Sequence, residues 1–363
     1  MKTALTPRER TELALQHQPT DRVPVSLIGS YINPPARKEL NEYLLATQGI
    51  DVDTYLKPII DVVAVAPRYI GPSLSAGTDI WGVHRSQQQA GLDIYDEIDN
   101  YPLADVTDIN ELCNFHWPES AWFDFTVIPE QIAAIRATGD YAIWYYGSGN
   151  IFETTWYMRG FERTFMDFYD NPELAHAILQ RVTDFYIDNY RKALEAADGE
   201  ILLAFTGDDI AGQQGLLISL DSWKEFIQPY HQRLNTAIHE FGCKVIYHSD
   251  GAVMNAVPGL IDMGIDVLES LQFDAADMDP ALMKSLYGKK LSFAGGVSVQ
   301  HTLPFGTTND VHREVEHLVS TLGNQGGYIL GPSHSIQGGT PPENIVTMFD
   351  TAVGKTSGTN LLY

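Results

Sequence analysis

From residue 140 onward the chain alternates short apolar runs with helix-length amphipathic stretches, and that alternation narrows the folds open to it. The runs are Tyr141–Gly147, Ile201–Thr206, Lys244–Tyr247, Asp266–Leu271, Leu291–Ala294 and Gly327–Leu330. Each is too short for a helix, and β-branched or aromatic residues are common in most, as in buried strands. Between them, Asn171-Pro172-Glu173 opens a helix through the Ala175–Ala197 region, a cap residue being followed by proline in the first turn. Asp221–Phe241 reads as a second helix, with Asp221 as N-cap and an end near Gly242, and Asn309–Leu322 as a third, closed by Gly323. Strand–helix–strand alternation implies a parallel sheet with helical crossovers. Val23–Ile28 and Asp61–Ala66 add two strand-like runs to these six, giving the eight of a (β/α)8 TIM barrel. An open doubly wound sheet shares the local alternation, but no Gly-x-Gly-x-x-Gly follows any run, and Gly147-Ser148-Gly149 lacks the third glycine. The expected fold is therefore α/β, a single barrel over residues 1–351. Pro67–Phe125, which contains the strand-like Asp79–Val83 and the acidic run Asp93–Asp108, is an excursion above it, and residues 352–363 are a flexible tail.

Charge and composition restrict the partners. The 363 residues carry 23 Lys and Arg against 47 Asp and Glu, a formal charge of −24, with no basic cluster. Phosphate backbones and anionic membrane surfaces both call for a basic face, so nucleic acid and membrane are excluded as partners. Only 19% of residues are charged and 11% are aromatic, which fits a large folded core and not disorder. Two cysteines, Cys113 and Cys243, make no disulfide framework, and no apolar run approaches the ~18 residues of a membrane helix. Met1–Arg10 is polar and carries Pro7, unlike a signal peptide, so the cytoplasm is the expected location.

Chemistry-bearing residues follow the strand runs, where a barrel builds its site. Gly207-Asp208-Asp209, His248-Ser249-Asp250-Gly251, Gly295-Gly296-Val297 and Gly331-Pro332-Ser333-His334 each trail a run, and Glu269 lies inside one, followed by Gln272. His248 and Asp250 stand two apart, so an extended backbone projects both from one face. His334 would join them from another strand end, and two imidazoles with a carboxylate suit Zn²⁺ with an open position. His248 as a hydrogen-bonded loop residue is the competing reading. Glu269 in an apolar run needs a cation or hydrogen-bond donors, which a metal or an arginine would supply. Tyr145 and Tyr146, with Glu153, Trp156, Tyr157 and Arg159 shortly after, read as an aromatic rim or as simple packing. His231, His239, His312 and His317 lie on expected helices among charges and read as surface residues.

Several segments together resemble the uroporphyrinogen decarboxylase superfamily: Asp21-Arg22-Val23-Pro24-Val25, Gly77-Thr78-Asp79-Ile80-Trp81-Gly82, Met158-Arg159-Gly160-Phe161-Glu162, His248-Ser249-Asp250-Gly251, Leu303-Pro304-Phe305-Gly306-Thr307 and Thr340-Pro341-Pro342-Glu343-Asn344. The resemblance spans almost the whole chain and implies a (β/α)8 barrel. The decarboxylases of that superfamily grip their substrate's carboxylates with N-terminal arginines, whereas Ser26–Pro34 contains none and the next is Arg37. The corrinoid-linked methyltransferase branch, with its His-x-Cys and a later Cys on zinc, is the closer likeness. Carried over, His248 matches the histidine, Asp250 the first cysteine and His334 the second. Replacing two thiolates by a carboxylate and an imidazole raises the charge of the site and makes the metal a stronger Lewis acid.

The resemblance thus implies a Zn²⁺-dependent methyltransferase moving a methyl group between a corrinoid (methylcobamide), alone or protein-bound, and a small thiol or O- or N-methyl substrate, with a homodimer as the expected assembly. Metal ligands would be His248, Asp250 and His334. Glu269, Asp208, Asp209 and Tyr146 would be catalytic, with Glu269 and the aspartates as orienting groups or alternative ligands, and Gly295, Gly296 and Gln272 would contact the cofactor. The alternatives are a metal-independent decarboxylase or lyase, with Asp250 and the two histidines as acid, base and charge stabiliser, and a non-catalytic binding protein.

Overall fold

The computed structural model describes residues 4–90 and 93–355. Seven of the apolar runs become one parallel sheet: β1 Val62–Val65, β2 Ala142–Tyr145, β3 Leu203–Gly207, β4 Lys244–His248, β5 Val267–Glu269, β6 Ser292–Val297 and β7 Tyr328–Pro332. The strands lie side by side in chain order, so each helical crossover steps one strand in the same direction. The sheet is curled. Its edges β7 and β1 both bond the segment around Val25: Leu330 N–H donates to Pro24 O, Ser26 N–H to Leu330 O and Asp61 N–H to Val25 O, at 2.8, 2.9 and 2.9 Å. Val23–Ile28, expected as a strand, contributes a single bridge, Val25 to Leu330.

Period-two alternation sorts the strand residues onto two faces. Val62, Ala142, Trp144, Leu203, Phe205, Ile246, Val267, Ala294 and Ile329 form one apolar cluster with Ile28. The intervening Ile143, Tyr145, Ala204, Val245, Tyr247, Leu268, Phe293 and Leu330 pack with the helices in a second, larger one. Burial on both faces explains why the runs are apolar throughout and not alternating.

The long helix Pro172–Ala197 and the helix Thr308–Leu322 follow the expected stretches. The latter starts one residue before the expected Asn309, behind a Thr307–Asp310 capping box. Asp221–Phe241 divides into Leu220–Phe226 and Gln228–His239. Pro229 has no N–H to continue a helix and falls in the first turn of the second piece. Ser219, not Asp221, is the N-cap, its hydroxyl accepting from Ser222 N–H at 3.1 Å.

Pro67–Phe125 adds no strand to the main sheet. It contains the hairpin His84–Ala90 with Asp93–Asn100 and the short pair Arg68–Tyr69 with Phe123–Asp124. Asp79–Val83 is a turn and not a strand, because Asp79 Oδ1 accepts the N–H groups of Trp81 and Val83 at 2.9 and 3.1 Å. Arg159, fully buried and paired with Asp167 at 2.6 Å, ties this region down by donating to the carbonyls of Leu103 and Ala104.

At the start of β1, Asp61 is fully buried between Arg10 at 2.5 Å and Arg22 at 2.6 Å and also accepts Val25 N–H at 2.8 Å. The C-terminal helix Pro342–Ala352 reaches into the expected tail, and residues 356–363 lie outside the described residues. No helix among the described residues is long and apolar enough to cross a membrane.

Candidate active site

The strands end together, and their last residues set the chemistry. His248 closes β4 and Glu269 closes β5, in register with each other. Glu269 Oε2 meets His248 Nδ1 at 2.6 Å, which turns the other ring nitrogen toward Asp209 Oδ1 at 3.7 Å and Asp250 Oδ1 at 3.9 Å. Asp209 is fixed by the loop after β3, its Oδ1 accepting Asp250 N–H at 2.8 Å. Ser270 Oγ donates to Asp250 Oδ1. His334 Nε2 is 3.8 Å from Asp250 Oδ2, and the two imidazole centroids are 6.3 Å apart.

Asp209, His248 and Asp250 can each offer a donor atom within 4.8 Å of the others. That set differs from the expected one: Asp209 stands where His334 was anticipated, and His334 lies one carboxylate further out. Donors ~2 Å from a tetrahedral ion are separated by ~3.3 Å, so a small contraction closes this set on a metal. Two further observations fit a cation. Glu269 is 1% exposed, its Oε1 has no hydrogen-bond partner among the described residues, and its pKa is raised by burial. Burial opposes a charge on His248, but Glu269, Asp250 and Asp209 outweigh it and hold the ring well above its ordinary 6.5. A proton there balances the carboxylates, and a divalent ion on Nε2 would take its place.

The cluster opens into a cavity of about 560 Å³, lined by Tyr31, Trp144, Tyr146, Asn150, Glu153, Tyr157, Phe205, Asp209, His248 and His334 among others. Among the described residues its lining contains no lysine or arginine. Tyr146, half exposed, stands on its rim and also borders a neighbouring aromatic cavity of about 600 Å³ that includes Trp81, Phe185 and Arg85.

Other expected residues are placed elsewhere. Asp208 is fully buried and caps the helix Ile151–Arg159, accepting Phe152 and Glu153 N–H at 2.9 and 2.8 Å and pairing with His231. It faces away from the cavity because the side chains of Asp208 and Asp209, adjacent in an extended stretch, point to opposite sides. His231, read as a surface residue, is completely buried as Asp208's partner. Gly295 and Gly296 are buried in β6 and not open to a cofactor: φ is +96° and +102°, and a Cβ on Gly295 would collide with Ser270 O. Gln272 is 5% exposed, accepting from Gly251 N–H at 2.9 Å and Gln213 Nε2 at 3.1 Å. These residues shape the loops beneath the site.

Sequence reasoning placed Glu153 only in an aromatic rim. The structure puts it in the cavity wall, with Tyr157 OH on Oε1 at 2.7 Å and Asn150 Nδ2 on Oε2 at 2.6 Å. Burial, with Asp209 and Asp208 adding to it, pushes its pKa up to about 8. A lone acid between Ile151-Phe152 and Trp156, four residues before a tyrosine, was the available signal.

Among relatives, a methylated-thiol–coenzyme M methyltransferase of Methanosarcina mazei is 31% identical over 175 residues, 48% of this chain and 43% of that protein. A uroporphyrinogen decarboxylase of Syntrophotalea carbinolica is 24% identical over 186 residues, 50% of this chain and 49% of that protein. The chain thus matches about half the length of these curated relatives. A solved methyltransferase from Methanosarcina mazei superposes with a TM-score of 0.70 at 18% identity, covering 96% of this chain and 98% of that one, and so shares the fold. Residues 97–354 match the family model described as uroporphyrinogen decarboxylase (URO-D), and the chain belongs to that family.

Proposed function

We propose that the chain is a zinc-dependent methyltransferase that moves a methyl group between a corrinoid (methylcobamide) carrier, free or on a corrinoid protein, and a small thiol or O- or N-methyl substrate. The observation that carries this reading is the cluster of Asp209, His248 and Asp250 at the mouth of a cavity without Lys or Arg, with Glu269 behind the imidazole. The likeness to a methyltransferase acting on a methylated thiol supports the reaction class. The setting is an eight-membered barrel whose eighth position is the bonded segment around Val25, with Pro67–Phe125 as an excursion above it, in a cytoplasmic protein that pairs as a homodimer.

Asp209, His248 and Asp250 would hold the zinc, with His334 near enough to Asp250 to orient it or to replace it. When bound, the ion supplies Lewis acidity, lowering the pKa of a thiol or polarising a heteroatom that bears methyl. Glu269 keeps the His248 ring turned so that Nε2 faces the donors. Trp144 and Phe205 give the space a buried aromatic wall, with Tyr31 on its exposed side.

Decarboxylation of a polycarboxylate would need guanidinium groups facing this cavity. Arg10 and Arg22 instead serve Asp61 at the start of β1, and Arg37 pairs with Asp53 at 2.6 Å. The test is elemental analysis of purified protein with methyl transfer to free cob(I)alamin from thioether, ether and amine donors. The expected result is about one zinc per chain and transfer that a chelator abolishes. Full transfer by metal-free protein would sink the metal assignment, and no transfer from any donor would sink the methyltransferase.

A further inference from the structure

Glu153 is a buried carboxyl that the metal cluster leaves unused. It is 7% exposed, forms part of the cavity wall that also includes Asp209, His248 and His334, and has no cationic partner among the described residues. Tyr157 OH and Asn150 Nδ2 hold its two oxygens, so its position is fixed by hydrogen bonds and not by an ion pair. The titratable groups that act on it are Asp208 and Asp209 after β3 and Tyr157 on its own helix. Tyr186 and Tyr247 lie within its electrostatic reach from the long helix Pro172–Ala197 and from β4. Arg85 stacks 5.0 Å from the Tyr157 ring but is paired with Asp79 at 2.6 Å, so its charge is already matched. The two neutral donors stabilise a charge on Glu153 only in part, and burial beside Asp209 and Asp208 outweighs them in favour of the protonated carboxyl.

We propose that Glu153 is a catalytic acid that protonates the leaving oxygen of a methyl ether or methanol, which makes an O-methyl compound the substrate class of this site. The inference rests on the methyltransferase reading and narrows it. A thiolate leaves without help, whereas an alkoxide is a strong base and needs a proton as it departs. The C–O bond of CH3–O–R breaks with its electron pair retained by oxygen, and Glu153 transfers its proton to that oxygen to give HO–R. The methyl carbon forms its new bond with both electrons of a Co(I) corrinoid, which is formally oxidised by two. Water then returns a proton to the Glu153 carboxylate. Glu153 lines the same cavity as Asp209 and His248, so a methyl ether bound there is exposed to the acid and to the metal donors alike.

The experiment compares wild type, Glu153→Gln and Tyr157→Phe in methyl transfer to free cob(I)alamin from methanol, anisole, 4-nitroanisole and dimethyl sulfide. Infrared difference spectra of wild type against Glu153→Gln at neutral pH give a readout independent of turnover. Expected are a carboxylic-acid carbonyl band present only in wild type, and a loss of ~10²–10⁴-fold in kcat for anisole or methanol in Glu153→Gln. The loss should be much smaller for 4-nitroanisole, whose phenolate leaves unaided, and Tyr157→Phe should show a weaker version of the same pattern. If Glu153→Gln does not fold, the wild type still decides, because an acid-assisted reaction favours 4-nitroanisole over anisole only weakly and a steep preference overturns the proposal. A missing infrared band, equal rates in Glu153→Gln, or transfer from dimethyl sulfide alone also overturns it while leaving a methyltransferase standing. No transfer from any donor overturns both.

Discussion

Two buried carboxylates at opposite ends of the strands show how this fold separates support from chemistry. Asp61, at the start of β1, is satisfied by Arg10, Arg22 and a backbone N–H. Glu269, at the end of β5, has a single imidazole, and its second oxygen has no partner among the described residues. Both are all but inaccessible to water. The acid at the base is neutralised by permanent cations and stays a fixed strut between the N-terminal helix Pro7–Leu15, the segment around Val25 and the sheet. The acid at the mouth is balanced only by a group that can gain or lose a proton or accept a metal. Burial alone does not mark a functional carboxylate; the nature of its counter-charge does.

The largest effect should come from breaking the strut. Asp61→Ala leaves Arg22 without a carboxylate and Arg10 with Asp21 alone, and urea unfolding should show a loss of about 3 kcal/mol. Glu153 should make stability depend on pH in the metal-free protein. Its native pKa of about 8 exceeds the ordinary 4.5, so across that window the native state binds a proton that the unfolded chain has released. Its contribution is therefore complete below pH 4.5 and is lost as pH rises through about 8. At ~1.4 kcal/mol per unit the swing is a few kcal/mol, and Glu153→Gln should flatten it in denaturation curves taken across that range.

Glu269→Gln should sharpen the contrast from the other side. Zinc affinity falls by ~10–100-fold in a competition titration, while urea stability without metal changes far less than in Asp61→Ala. The smallest effect is expected from Arg191→Ala, which removes an exposed pair with Glu240; a loss above ~1 kcal/mol would show that surface charge matters more here than the contrast allows.

Much of the fold was legible because apolar runs and helix punctuation are local. Seven of the eight expected runs form strands of one parallel sheet. Val23–Ile28 reads equally well but makes one bridge, because Pro24 has no N–H to give and Asp61 accepts Val25 N–H. His248, Asp250 and Glu269 could be singled out since polar residues at the ends of buried strands need a reason to be there. The choice between Asp208 and Asp209 could not be made from adjacent identical residues. It required knowing that His231 and the start of Ile151–Arg159 lie on one side and His248 on the other.

The sequence by itself determined the parallel α/β architecture, the acidic surface and the level of the fold at which chemistry collects, because each depends on composition or on spacing along the chain. Tertiary structure alone decided which carboxylates share a centre and which are struts, and it brought Glu153 to the cavity from a helix that local pattern marked only as aromatic. The physical reason is that a carboxylate's role is set by the charges and donors around it in space, and at the metal cluster those partners come from residues 21, 41 and 84 positions away.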